Sequence, residues 1–210
     1  MVIHEYKSSV IIGEIVAENI SEEDYFATYE GHFEWVNGKV IKMPPIHQGH
    51  YQIADYLADL LKIYFHFKPI GIIREDPFVM RLKKPKSNRQ PDIQVILNEN
   101  MKNLKETYMD GAADICIEIV SPATVSVDRG IKFEEYQAGG VTEYWIIDAQ
   151  RKEALFYRLD DGVYKPLIIQ DDIYTINQLP GLKLYVPTLW KDTLPDIPEI
   201  LDLVKKMLAD

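Results

Sequence analysis

Between Asp114 and Asp148 the chain reads DICIEIVSPATVSVDRGIKFEEYQAGGVTEYWIID, and its apolar positions change period twice. Ile115–Val120 alternates as a strand does, yet both of its faces are apolar: Ile115, Ile117 and Ile119 on one, Cys116 and Val120 on the other. Glu118, on the Cys116 face, is the exception. A strand apolar on both sides is central in a covered sheet. An ionised carboxylate there is costly unless it is paired or bound to a metal. Asp128–Ala138 then reads as a helix stopped by Gly139-Gly140, and Val141–Asp148 as a second strand. This strand–helix–strand unit predicts a right-handed parallel crossover.

Elsewhere the pattern is as clear in places. His32–Met43 alternates on either side of Asn37-Gly38, the type I′ hairpin signal, with His32, Glu34 and Val36 on one face and Phe33 and Trp35 on the other. Over His47–Phe65, Ile53, Tyr56, Leu57, Leu60, Leu61 and Tyr64 recur at helical spacing. Ser21-Glu-Glu-Asp predicts an N-cap and a short helix to about Tyr29. Ile70–Leu82 reads as one strand bent at Asp76-Pro77, and Pro91–Leu97 as another, with Asp92, Gln94 and Ile96 on one face. Asn98–Gly111 reads as a polar connection, Leu155–Ile169 as a hairpin, Ile173–Trp190 as loop and short strand, and Pro198–Ala209 as a terminal amphipathic helix. Val10–Val16 reads as an irregular strand or a loose arm. No repeat or linker divides the chain, which predicts a single domain over residues 1–210, with an arm at 1–20 and a C-terminal helix within 191–210. The expectation is an α+β fold: a central mixed sheet of residues 71–82, 91–97, 114–120 and 141–148, flanked by helices and extended by the 32–43 and 153–169 hairpins.

Composition narrows the class. A chain of 210 residues that is 47% hydrophobic can bury a sizeable core. Its longest apolar stretch, Leu60–Ile73, is broken by Lys62, His66 and Lys68, so no membrane span is expected. The N-terminus lacks the basic and apolar regions of a secretion signal. One cysteine, Cys116, excludes an intrachain disulfide framework and a cysteine-based zinc site and suits a reducing cytoplasm. The net charge of −10 opposes a protein that coats nucleic acid electrostatically. Against that trend, Arg81–Arg89 holds five basic residues and no acid, a run that suits either a solvated loop or contact with phosphates.

The candidate chemistry lies in three successive features: Asp92 opening a strand, Glu118 within the next buried strand, and Lys132 on the helix after it. Two carboxylates in a partly buried site repel each other and bind a hard divalent cation such as magnesium. A lysine beside them orients water or neutralises phosphate charge. Plainer readings stand alongside: Asp92 as a turn cap, Glu118 as the buried partner of Lys132 or Arg129, Lys132 as a helix ion pair of Asp128. Tyr136, Tyr144, Trp145 and Cys116 read as core. His47 and His50, spaced i, i+3, share a helix face and suit either metal binding or a surface role.

At these residues the chain resembles a family. The strand–Pro91-Asp92–strand–Glu118 layout resembles the PD-(D/E)XK, or restriction-endonuclease-like, superfamily. Glu118-Ile-Val-Ser-Pro, Asp128-Arg-Gly-Ile-Lys132, and Tyr136 through Gly140-Val-Thr-Glu-Tyr-Trp look like its bacterial Uma-two branch, as do Phe33-Glu34-Trp-Val-Asn-Gly-Lys-Val and the His50 helix. The likeness spans roughly residues 20 to 190. It implies a restriction-endonuclease-like core and an endonuclease that hydrolyses DNA phosphodiester bonds with Mg2+ or Mn2+. Asp92 and Glu118 would bind metal, Lys132 would be the motif lysine, Glu34 an accessory acid in the same cleft, and His50 and Gln94 supporting polar groups. The chain departs from the common motif at Val120, where a lysine is usual; in this branch the lysine stands on the following helix. Cutting both strands needs two sites, which implies a homodimer, with the apolar C-terminal region as part of its interface. The alternative function is a nuclease-fold binding or assembly module with weak or absent catalysis, which the net charge and Val120 favour. Glycoside hydrolysis by two carboxylates is a third reading, disfavoured by the basic run and the lysine-bearing helix.

Overall fold

The computed structural model describes residues 13–45, 48–120 and 124–209. The elements in chain order are β1 (Glu14–Ala17), α1 (Glu22–Thr28), β2 (Phe33–Val36), β3 (Lys39–Lys42), α2 (Gln48–Phe67), β4 (Gly71–Glu75), β5 (Val79–Leu82), β6 (Ser87–Arg89), β7 (Ile93–Leu97), β8 (Tyr108–Asp110) and β9 (Ile115–Val120). A π-helical turn, Val127–Ile131, leads into α3 (Lys132–Gly139), followed by β10 (Glu143–Asp148), β11 (Glu153–Asp160), β12 (Val163–Pro166), β13 (Ile173–Thr175), β14 (Lys183–Tyr185) and α4 (Ile197–Ala209). Residues 1–12, which include the first part of the expected arm, and His47 of the expected histidine pair lie outside the described residues.

The fold is mixed α+β with two large sheets. The first has the order β12-β11-β10-β9-β7-β4, and β9 and β10 are its parallel pair, joined through α3. Ile115, Ile117 and Ile119 of β9 join Ile93 and Val95 of β7, Leu57, Leu61 and Tyr64 of α2, and Ile200 and Val204 of α4 in one dry cluster. Apolar burial at about 25 cal/mol per Å² makes this layer the main source of stability. The other face carries Cys116, Val120, Tyr144 and Ile146 and packs with Tyr136 of α3 and with Met80, Leu82 and Met109 of the second sheet. Gly139 lies where α3 passes β5: a Cβ there would stand 2.8 Å from the Leu82 side chain, which would have to shift.

The second sheet, β1-β3-β2-β6-β5-β8, corrects the expected architecture. The 32–43 hairpin belongs to it and does not extend the central sheet. Residues 71–82 are not one bent strand: β4 pairs with β7 in the first sheet, while β5 pairs with β6 and β8 in the second. The chain changes sheets at Asp76-Pro77, where proline supplies no ladder donor. Residues 108–110, read as polar connection, supply β8. The Arg81–Arg89 run is the β5–β6 hairpin. Arg81 pairs with Glu22 and Asp110, Lys83 pairs with Asp110, and Arg89 is buried, while Lys83, Lys84 and Lys86 are exposed. Ile200 and Val204 of α4 are buried in the chain's own core, while Ile197 is exposed.

Candidate active site

The two sheets diverge around a pocket walled by His32, Met43, Pro44, Pro45, His50, Asp76, Gln90, Asp92, Glu118, Ile119, Thr124, Asp128 and Lys132. Register explains why two of its acids meet. The antiparallel β7–β9 pairing runs Val95↔Ile115, Gln94↔Cys116, Ile93↔Ile117, so one further step sets Asp92 opposite Glu118 on the same face. Asp92 is fixed at both oxygens: Oδ2 accepts from the Ile119 N–H at 2.6 Å, and Oδ1 lies 2.9 Å from His50 Nε2. Burial works against charge on His50, but the Asp92 hydrogen bond and charge outweigh it and raise its pKa.

Glu118 is 3% exposed. Its Oε1 accepts from Lys132 Nζ at 2.9 Å and from Tyr136 Oη at 2.7 Å. Burial holds its pKa well above the usual carboxylate range; Lys132 opposes this, while Asp128 and Asp92 add to it. Lys132 Nζ also lies 3.4 Å from Asp128 Oδ1 and 3.7 Å from Glu34 Oε1. Burial opposes its charge, but Glu118, Glu34 and Asp128 together keep the ammonium protonated and its pKa well raised. Asp128 is likewise raised by burial, against Lys132 and a hydrogen bond with Thr124. Asp128, Lys132 and Tyr136 form one stripe at i, i+4, i+8, and the π-helical turn carrying Asp128 feeds directly into α3. Such turns recur at functional sites.

Behind Lys132 lies a buried brace. Arg89 donates to Glu135 through Nε and a terminal nitrogen at 2.6 and 2.8 Å, and to Glu34 Oε2 at 2.7 Å. Glu34 Oε1 accepts from the Gln90 N–H at 3.1 Å. Although burial penalises charge on Glu34, Lys132 and Arg89 hold its pKa below the ordinary value.

The structure therefore brings Asp92, Glu118, Lys132 and His50 to one pocket. Glu34 does not reach the wall, because Arg89 and Gln90 claim its oxygens. Gln94 is not at the wall either; its amide donates to the Phe78 carbonyl at 2.6 Å, tying β7 to the second sheet. Sequence reasoning passed over Asp128 as a helix-start acid and Asp76 as a turn residue. The Asp128/Lys132/Tyr136 spacing was the available signal for the first. It also took Tyr136 for core alone, although its hydroxyl serves Glu118, and Arg89 for part of an exposed run.

The donor set suits a hard cation. Its acids offer only oxygen, as magnesium and manganese prefer. When ionised, the four acids on the pocket wall, Asp76, Asp92, Glu118 and Asp128, outnumber its one lysine, Lys132, by three charges, a surplus that a dication would reduce. Among the described residues no three His, Cys, Asp or Glu side chains already stand gathered as ligands to one point. Lys132 Nζ stands among Glu118, Asp128 and Glu34, so a cation bound there would displace its ammonium.

Fold and site together define a nuclease-like α+β protein with an acidic cleft at a sheet junction. A solved structure with this fold is titled "Crystal structure of a putative nuclease belonging to DUF820 from Anabaena variabilis ATCC 29413"; it aligns with a TM-score of 0.62 at 15% identity, over 87% of this chain and 97% of that one. The model of the Uma2 family, described as "Putative restriction endonuclease", matches residues 22–187, and the chain belongs to that family. No protein of curated function matches it. No helix among the described residues is long and apolar enough to cross a membrane.

Proposed function

We propose that the chain is a divalent-metal-dependent endonuclease that hydrolyses DNA phosphodiester bonds. The observation that carries this reading is the shared pocket of Asp92 and Glu118, brought opposite each other by the β7–β9 register, with Lys132 between Glu118 and Asp128. Asp92 and Glu118 would hold Mg2+ or Mn2+. When bound, the ion polarises a phosphoryl oxygen and lowers the pKa of its water. His50 and the Ile119 N–H fix the Asp92 carboxylate in one orientation, so it meets the ion without reorganising. Tyr136 keeps Glu118 oriented when Lys132 moves. Lys132, released from Glu118, neutralises phosphate charge, while Arg89 holds Glu34 behind it as a fixed counter-charge. A homodimer would present two such pockets to two strands, and lone Cys116, buried, suits a reducing cytoplasm.

The test is nicking of plasmid DNA in magnesium or manganese. The Asp92→Ala variant is expected to lose cleavage while keeping its circular dichroism; unchanged cleavage removes the mechanism.

A second reading, a nuclease-fold binding module without catalysis, is favoured by one observation: Lys132 already satisfies Glu118 and Asp128. Manganese titration separates the two. The nuclease reading requires weaker binding in Glu118→Gln than in wild type; equal affinities favour the module.

A further inference from the structure

The pocket wall carries a second histidine–aspartate pair besides His50 and Asp92. His32 and Asp76 both stand on the pocket wall, with His32 Nδ1 2.9 Å from Asp76 Oδ2. The His32 side chain is 52% exposed and that of Asp76 only 15%. The pair is pinned from both sides by one buried residue: the Gln90 amide nitrogen donates to the Gly31 carbonyl at 2.6 Å and to the Pro77 carbonyl at 2.9 Å. The Met43 N–H donates to the His32 carbonyl at 3.0 Å, closing the base of the hairpin, and the Asp76 N–H donates to the Asp92 carbonyl at 3.1 Å. An ion pair at a rim contributes little to stability by itself, roughly 0–1 kcal/mol. Fixing both of its backbone shoulders through one glutamine sets the direction of the ring instead.

We propose that His32 is the general acid that protonates the leaving oxygen of the scissile phosphodiester, with Asp76 as its positioning residue. This rests on the nuclease reading above. With Nδ1 turned to Asp76, Nε2 is the nitrogen left for substrate, and in the imidazolium form it carries the second ring proton. As the bond from water oxygen to phosphorus forms, the bond from phosphorus to the leaving oxygen breaks. The electron pair stays on that oxygen, which takes the Nε2 proton. The attacking water sheds its proton to solvent, and solvent reprotonates the imidazole through its exposed edge. The charged groups acting on Asp76 are His32, Asp92, Lys132 and Glu34. Burial pushes the Asp76 carboxyl up to about 6; His32 pulls it down, Asp92 pushes it up, Lys132 pulls it down and Glu34 pushes it up.

The test uses the full chain in manganese and a duplex carrying a cleavage site mapped with the wild type. A second duplex has sulfur in place of the bridging oxygen on the leaving side, and its thiolate departs without a proton. His32→Ala is expected to lower kcat on the oxygen duplex about 100-fold with KM unchanged, and to cleave the sulfur duplex within about twofold of wild type. His32→Gln, which keeps bulk and a donor toward Asp76, is expected to behave alike and guards against misfolding. Asp76→Asn is expected to show a smaller loss confined to the oxygen duplex. Equal loss on both duplexes, or none on the oxygen duplex, overturns the assignment. A wild type that cleaves neither duplex fails the nuclease reading itself, and the assignment with it.

Discussion

The two faces of β9 obey opposite rules. On one, Ile115, Ile117 and Ile119 pack into the apolar cluster with β7, β10, α2 and α4. On the other, one residue away at each step, Glu118 shares its face with Cys116 and Val120 and meets Lys132 and Tyr136. Both faces are equally buried, so burial alone does not distinguish a core from a site. What distinguishes them is whether the buried polar groups are balanced. On the dry face β9 itself contributes no polar side chain. The polar face holds more acid than base, a cost that a proton on Glu118 relieves and that, in the proposed mechanism, a dication would relieve instead. The dry layer supplies the stability against which that imbalance is held.

The substitutions that break this comparison rank by size. Removing a proposed ligand should affect activity most: Asp92→Asn is expected to lower metal-dependent cleavage on the order of 1,000-fold while costing little stability, read by nicking kinetics and thermal melting. Breaking the brace should affect stability most. Arg89→Met leaves Glu34 and Glu135 buried without their shared guanidinium, and urea unfolding is expected to show a loss of about 3–5 kcal/mol. On the dry face, Ile117→Ala is expected to cost about 3 kcal/mol by the same measurement and to leave the fitted affinity for manganese unchanged.

The smallest effect tests the rule on the dry side itself. Glu143 is fully buried there; its Oε1 accepts from Trp145 Nε1 at 3.3 Å, and Arg158 stands 3.8 Å from Oε2. Burial lifts its pKa to about 7, with Arg158 and Trp145 pulling it down. A raised folded-state pKa means that the folded chain keeps this proton longer than the unfolded one. Its contribution is therefore full below about pH 4.5 and is lost as pH rises through 7. Glu143→Gln is expected to flatten that fall and to gain about 2 kcal/mol over wild type at pH 8, but not at pH 4.5, by urea unfolding.

The parts of the fold set by local pattern were legible. Asn37-Gly38 declared the hairpin, and both residues have positive φ, 48° and 86°. Ser21 caps α1 through its hydroxyl, and Gly140 ends α3 in the left-handed region at φ 89°. The lone glutamate in an otherwise apolar β9 marks the candidate site within the sequence itself. What escaped was set by distant partners. Val79–Leu82 continues the apolar run of β4, and only its pairing with β6 and β8 assigns it to the second sheet. Three-residue strands such as β8 carry too little alternation to read. Arg89 looks like its basic neighbours in sequence, and its burial is fixed by Glu135, 46 residues away. Asp76 reads as half of an Asp-Pro turn, with nothing local to mark His32 as its partner.

The central claim, that Asp92 and Glu118 share one doubly charged ion, is tested most directly by anomalous diffraction from a crystal soaked in manganese. The expected map has a peak within ligand distance of both carboxylates, with Lys132 Nζ displaced from Glu118. A soaked crystal in which the pocket is empty and Lys132 still spans Glu118 and Asp128, or in which manganese sits elsewhere, contradicts it.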